Sequence, residues 1–304
     1  MKNKLTLFAS LVSALLVSVA VTSCQAKKSE NKQEAEPIVI TENLRFCEST
    51  YPYNGGILIA NFGTEQLNPL NNEGKGYIVF SKEGKSEILI PADGSLSAPK
   101  GMFVRDGYLF ICDVNKIVVY NLNALNEAPQ TIGFPEEDLF VNDLIASGNT
   151  LYASVTNTGR IYSIDISQPG TVGKVTPVKW ADVVGANGLI LENGTMYIAS
   201  YPADGNTTEA NVIYQISDLA NPVPEKFITT PGQYDGIALS ADKKTMYVTD
   251  WSPSIQSIDM QSRKMTPLPV GKEMVGPADI TVVGSEMYIP DLPNSQVICI
   301  SLDK

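Results

Sequence analysis

One phrase recurs along this chain: a small-residue turn, a short strand, a Gly/Asn/Asp turn, and a second strand with tyrosine near its start. It reads PKGMFVRDGYLFICD from Pro99, VNDLIASGNTLYASV from Val141, ANGLILENGTMYIAS from Ala186, YDGIALSADKKTMYVTD from Tyr234 and PADITVVGSEMYIPD from Pro277. A divergent copy, ESTYPYNGGILIANF, begins at Glu48. Third strands follow in most copies (KIVVYNL, RIYSIDI, VIYQIS, SIQSIDM, QVICISL), and QTIGF, KVTPVK and EKFITT read as fourth, outer strands. The residue ahead of each first strand serves as a marker: Glu48, Lys100, Asn142, Asn187, Asp235 and Ala278, at intervals of 52, 42, 45, 48 and 43 residues. A period of roughly 40–50 residues with about four strands per unit is what a β-propeller requires. Six copies predict an all-β, six-bladed β-propeller, and no stretch sustains a helical period that competes. The segment PIVITENLRF, ahead of the first copy, is expected to supply the outer strand of the last blade. That closure removes exposed sheet edges and makes one domain of the six copies.

Composition narrows the chemistry. The 304 residues include 22 Lys and Arg against 33 Asp and Glu, a net charge of −11, and no histidine. Phosphate binding needs a positive field, so nucleic acid is not an expected partner. The missing histidine excludes Ser-His-Asp and Cys-His triads, a histidine base and a histidine-rich zinc site.

The chain opens MKNKLTLFASLVSALLVSVAVTSC: two lysines, an apolar run from Leu5 to Val21, then small residues before a cysteine. This reads as a secretory leader over residues 1–23, with Val21-Thr22-Ser23-Cys24 resembling the bacterial lipobox, whose cysteine is lipidated. Polar residues 24–37 read as a flexible tether and residues 38–304 as the propeller domain. The expected place is extracytoplasmic, anchored to a membrane through lipid on Cys24. Three further cysteines, Cys47, Cys112 and Cys299, have no CxxC spacing. A Cys47–Cys299 bridge between the ends of the fold and three buried thiols are both compatible with that pattern.

In a propeller the first strand of every blade lines the central channel, so the six markers converge on one mouth. Glu48, Asn142, Asn187 and Asp235 offer only carboxylate and amide oxygens, a donor set that suits a hard divalent cation such as Ca²⁺. The alternative for Asn187-Gly188 and Asp235-Gly236 is a plain turn, since both dipeptides tolerate positive φ. Glu48 is a poor turn former and costly to bury unpaired.

VNDL, ANGL and YDGI at successive blades, with the glutamate of blade one, resemble the calcium-dependent six-bladed propellers of the SMP-30/gluconolactonase, diisopropylfluorophosphatase and paraoxonase group. The resemblance spans about residues 48 to 302. It implies that Glu48, Asn142, Asn187 and Asp235 hold a catalytic divalent metal, and that the protein hydrolyses lactones or related esters. Asp235 or a metal-bound water then serves as nucleophile or base. Lys100 departs from the pattern, because paraoxonases carry a histidine there. It either works as a base or substrate anchor, points aside, or snorkels to solvent. Asp143, beside Asn142, and Trp251 are expected in the substrate pocket, with Asx-turn and packing roles as the alternatives. Tyr51 and Tyr201 are further candidates for the mouth, and Asp279 is placed to reach in beside Ala278. The partner implied is a small-molecule substrate. A non-catalytic ligand-binding or protein-interaction propeller is the competing reading, since fold does not settle function.

Anchoring is tested at Cys24. Labelled fatty acid is expected to enter the wild-type protein and not Cys24→Ala, which should leave the membrane fraction. Equal membrane retention of the two would point to an uncleaved helix.

Overall fold

A computed structural model describes residues 36–303. Residues 1–35, with the expected leader, Cys24 and most of the tether, lie outside the described residues. The first strand is β1 (Ile38–Ile40). Blade one follows as β2 (Cys47–Tyr53), β3 (Gly56–Asn61), β4 (Tyr77–Lys82) and β5 (Lys85–Ile90). Blade two is β6 (Met102–Arg105), β7 (Tyr108–Asp113), β8 (Lys116–Asn121) and β9 (Gln130–Gly133). Blade three is β10 (Val141–Ser147), β11 (Thr150–Val155), β12 (Arg160–Asp165) and β13 (Val178–Asp182). Blade four is β14 (Ala186–Glu192), β15 (Thr195–Ser200), β16 (Ile213–Ile216) and β17 (Glu225–Ile228). Blade five is β18 (Tyr234–Leu239), β19 (Thr245–Asp250), β20 (Ser254–Asp259) and β21 (Met265–Leu268). Blade six is β22 (Thr281–Val283), β23 (Glu286–Asp291), β24 (Gln296–Ser301) and, outermost, β1.

The ring is therefore a six-bladed β-propeller, closed by β1 against β24 with Ile38 opposite Cys299 and Ile40 opposite Val297. No helix among the described residues is long and apolar enough to cross a membrane.

Alternation along the strands gives each blade two apolar faces, and neighbouring blades press these together. Phe110, Ile117 and Ile132 of blade two pack with Val141, Leu144 and Leu151 of blade three. Fully burying a side chain of this kind contributes about 1.5–3 kcal/mol. The repeated tyrosines serve the same interfaces. Tyr152 lies 4.6 Å from Trp180 within the core shared by blades three and four, and Tyr197 lies 4.9 Å from Phe227 in the core shared by blades four and five. Tyr51, expected near the mouth, belongs to this packing as well: its ring meets Phe103 at 6.4 Å between blades one and two.

One sequence expectation narrows and one open choice is decided. The outer strand of blade three takes only the last two residues of KVTPVK and runs Val178–Asp182, because Pro169–Lys174 forms a 3-10 turn and Pro177 has no N–H for a ladder. Cys47, Cys112 and Cys299 are all free, buried thiols, and Cys47 Sγ donates to the Gln296 carbonyl at 3.2 Å.

The antiparallel order puts the start of each inner strand, the end of the second, the start of the third and the end of the fourth at one end of the ring. This mouth side is stapled by the last residues of the second strands. Asp113, wholly buried, accepts from Ser97 N–H at 3.1 Å and Ala98 N–H at 2.7 Å. Asp291 accepts from Val275 N–H at 2.9 Å and Gly276 N–H at 3.0 Å, and Asn61 Oδ1 accepts from Arg45 N–H at 3.0 Å. Each side chain holds the connection that enters its own blade. Asp113→Ala should orphan two buried donors and lower unfolding stability by about 2–4 kcal/mol. A drop of that order in urea-unfolding free energy checks it, and an unchanged value would remove Asp113 from the framework.

Candidate metal centre

Four of the six inner strands share a defect at their start. The ladder slips between Cys47 and Ser49 in β2, Val141 and Leu144 in β10, Ala186 and Leu189 in β14, and Tyr234 and Ile237 in β18. These bulges contain Glu48, Asn142, Asn187 and Asp235 in turn. A bulge frees a residue from pairing and re-aims its side chain, which is how a strand presents a donor at its end. Blades two and six begin their inner strands later, at Met102 and Thr281, so Lys100 and Ala278 lie ahead of those strands.

Neither Asn187-Gly188 nor Asp235-Gly236 is a positive-φ turn. The glycines are there for contact: a Cβ on Gly188 would stand 2.4 Å from the Asp235 carbonyl oxygen, and one on Gly236 2.4 Å from Ile280 N. Inner strands of adjacent blades touch backbone to backbone at this level.

All four marker side chains are buried, between 1% and 6% exposed. Glu48 Oε2, Asn187 Oδ1 and Asp235 Oδ1 have no hydrogen-bond partner among the described residues, and the Asn142 side chain forms none. Buried oxygens left this way cost roughly 1–3 kcal/mol each and call for an explanation. The same atoms are acceptors only, or acceptor ends of amides, the chemistry a hard cation takes. No group of three or more acidic or cysteine side chains among the described residues is arranged to hold a metal by itself. A cation here depends on the amide oxygens as well as on Glu48 and Asp235.

Charge crowding agrees with that demand. Burial lifts the Glu48 carboxyl well above its ordinary range, and Asp235 and Asp279 lift it further. Burial pushes Asp235 up to about 7, with the Trp251 hydrogen bond, Lys100 and the Asn187 amide pulling against it and Asp279 adding to it. Asp279 rises to about 6 through desolvation, despite a hydrogen bond from Ser49 Oγ at 2.7 Å. Carboxyls held this way gain most from a cation when ionised.

Lys100 does not snorkel. It is wholly buried, its Nζ donating to the carbonyls of Ala98 at 2.8 Å and Pro69 at 3.0 Å, with the rings of Phe140 and Phe62 at 5.1 and 5.5 Å. Burial lowers its pKa while Glu48 and Asp113 oppose that shift. It makes no ion pair with Glu48 within 4.0 Å, which leaves the Glu48 oxygen unclaimed.

Asp143 ties blades together: Oδ1 accepts from Leu144 N–H at 2.7 Å and Oδ2 from Leu189 N–H, one blade on, at 2.6 Å. Trp251 donates its indole N–H to Asp235 Oδ2 at 2.7 Å, so one oxygen is fixed and the other left without a partner among the described residues. Tyr201 packs edge-on against Trp251 at 6.1 Å. Tyr201 also lines a cavity of ≈ 330 Å³ between blades three and four, with Val184, Asp204 and Asn206. Neither the bulges nor the part played by Ser49 leaves a direct sign in the sequence.

No protein-family model and no curated protein matches the chain. Among solved structures it is similar to a catalytically inactive histidine-to-alanine variant of virginiamycin B lyase from Staphylococcus aureus with quinupristin (15% identity, TM-score 0.58, 88% of this chain and 98% of that one). It is also similar to a chain of the nidogen/laminin complex (14%, TM-score 0.59, 84% and 88%) and to a protein of unknown function from Bacteroides thetaiotaomicron (13%, TM-score 0.58, 85% and 70%). The likeness is one of fold, the six-bladed propeller.

A pH prediction follows from Asp235. Its raised folded pKa means that stability present below its ordinary value of 3.8 is lost as pH rises through about 7. In EDTA the melting temperature should fall over that window. Calcium should restore it near neutral pH and do little near pH 4.5, and Asp235→Asn should remove most of the calcium shift. A calcium shift of equal size at both pH values would refute the assignment of these carboxyls.

Proposed function

We propose that the mouth holds a divalent cation, calcium by its donor chemistry, and hydrolyses lactones or related esters there. The carrying observation is the set of orphaned buried oxygens on Glu48, Asn187 and Asp235. The resemblance to the gluconolactonase group supplies the reaction class. A bound calcium would polarise a carbonyl and offset charge on its oxygen.

The chain's own residues divide the remaining work. Glu48, Asn142, Asn187 and Asp235 hold and orient, each aimed by its bulge. Asp235 combines a pKa near neutrality with a geometry fixed by Trp251, which suits a base or nucleophile. Lys100 enters as a buried amine held in place by carbonyls and aromatic rings. The half-buried Tyr201 and Trp251 stand beside Asp235 as the wall of the pocket.

A second reading, a binding propeller without catalysis, is favoured by that enclosure of Lys100 and by the absence of histidine. The same absence argues against carrying over lyase chemistry from the virginiamycin B lyase neighbour, whose histidine-to-alanine variant is inactive.

The full-length protein should hydrolyse aldonolactones or small aliphatic lactones in calcium and lose that activity in EDTA. Asn187→Ala and Asp235→Ala should each cost at least about 100-fold in kcat, the scale of a lost group that stabilises developing charge, with the circular dichroism spectrum kept. Calcium binding by calorimetry without turnover on a lactone, ester and phosphotriester panel would leave the binding reading in its place.

A further inference from the structure

The two ends of the ring differ in charge. Mouth-side connections carry Glu65, Glu136, Asp204, Glu209 and Glu273, all exposed and outside any ion pair. Their basic residues are nearly all occupied: Arg45 on the carbonyls of Thr64 and Glu65, Lys75 on Glu73, and Lys100 inside its cage. Lys272 alone among the described connections of that side has no partner. Connections at the opposite end are close to balanced, with Lys174, Lys243, Lys244, Arg263 and Lys264 among their acids. Most of the chain's negative excess therefore surrounds the mouth.

Exposed apolar side chains stand among the mouth-side acids, as others do at the opposite end at Leu125, Val178 and Val223. Leu67 and Leu70 stand on the β3–β4 connection, Leu139 between blades two and three, Val184 between three and four, and Val275 between five and six. Val184 and Val275 are 56% and 55% exposed. Val184 also forms one wall of the ≈ 330 Å³ cavity, beside the Tyr201 ring and the exposed Asp204 carboxylate. An aliphatic stem ending in a positive charge fits that combination: the stem lies on Val184 and Tyr201, and the charge meets Asp204.

We propose that the mouth side docks a basic peptide segment carrying apolar side chains, with one lysine or arginine inserted in the cavity between blades three and four. Charge complementarity selects this occupant. An anionic lipid surface would meet the acidic connections with like charge, as would the same face of a second copy. The apolar residues lie on connections around much of the ring, a span that suits an extended chain better than a small cation. The docking requires neither catalysis nor a bound cation, so it stands apart from the hydrolase reading.

The test uses full-length protein and a short fluorescent peptide of Lys, Leu and Ser, followed by anisotropy in calcium and in EDTA. Binding is expected in both. It should weaken about ten-fold in the double variant Val184→Ser with Asp204→Asn, and similarly in Leu139→Gln with Val275→Gln, since a few anchors carry most of such an interface. The opposite-end control, Asp218→Asn with Val223→Gln, should bind as wild type. All these positions are exposed, so unchanged melting curves are expected. Equal loss in the control, no loss in the mouth variants, equal binding of a peptide with every Leu replaced by Ser, or no binding at all would overturn the proposal. So would binding to phosphatidylglycerol vesicles or dimerisation through this face in place of peptide capture.

Discussion

Three residues at the start of the described chain hold the ring shut. Without β1 on β24, blade six would end in an unpaired edge and blade one would have no fixed neighbour to press against. Ile38, Val39 and Ile40 pair with Cys299, Ile298 and Val297, joining the two ends of the described chain. Each inner strand then stands at a set distance from the channel axis, and the starts of all six are forced into one crowded mouth. Closure is what turns six separated markers into one site.

That crowding has a cost which the framework around it absorbs. Neighbouring carboxyls, Asp279 among them, raise the pKa of Glu48, Asp143 and Asp235 in a space that burial has already made unfavourable for charge. Two of them are answered locally: Asp143 by the N–H groups of Leu144 and Leu189, Asp279 by Ile280 N–H and Ser49 Oγ. Glu48 and Asp235 keep an oxygen unanswered. Acids paired by the fold hold blades together, and those left unpaired are the ones suited to an external cation.

The architecture was legible because a period survives divergence: strand alternation, the turn residues and the tyrosine of each copy encode the blade without naming its neighbours. The outer strand from PIVITENLRF could be placed for the same reason. Site detail was harder, since a one-residue slip in a ladder leaves no mark in alternation, and the bulges at Glu48, Asn142, Asn187 and Asp235 emerge only with the pairing. The glycines after Asn187 and Asp235 were visible but open to a turn reading; they serve close approach between blades. The place of Lys100 stayed open between rim and site because nothing local announces that Phe62, Phe140 and the Pro69 carbonyl, distant in sequence, enclose it.

The six markers are not chemically equivalent. In blades two and six the marker lies ahead of the inner strand, its backbone joined to the second strand by Lys100 N–H to the Cys112 carbonyl at 2.8 Å and Ala278 N–H to the Pro290 carbonyl at 2.9 Å. Lys100 runs to a cage of carbonyls and rings, and Ala278 packs with Phe46, Phe62 and Leu292. In the other four blades the inner strand includes its marker, and those four markers are the oxygen donors. Local backbone geometry and side-chain chemistry therefore select the same positions, which is the agreement between levels expected of a built site.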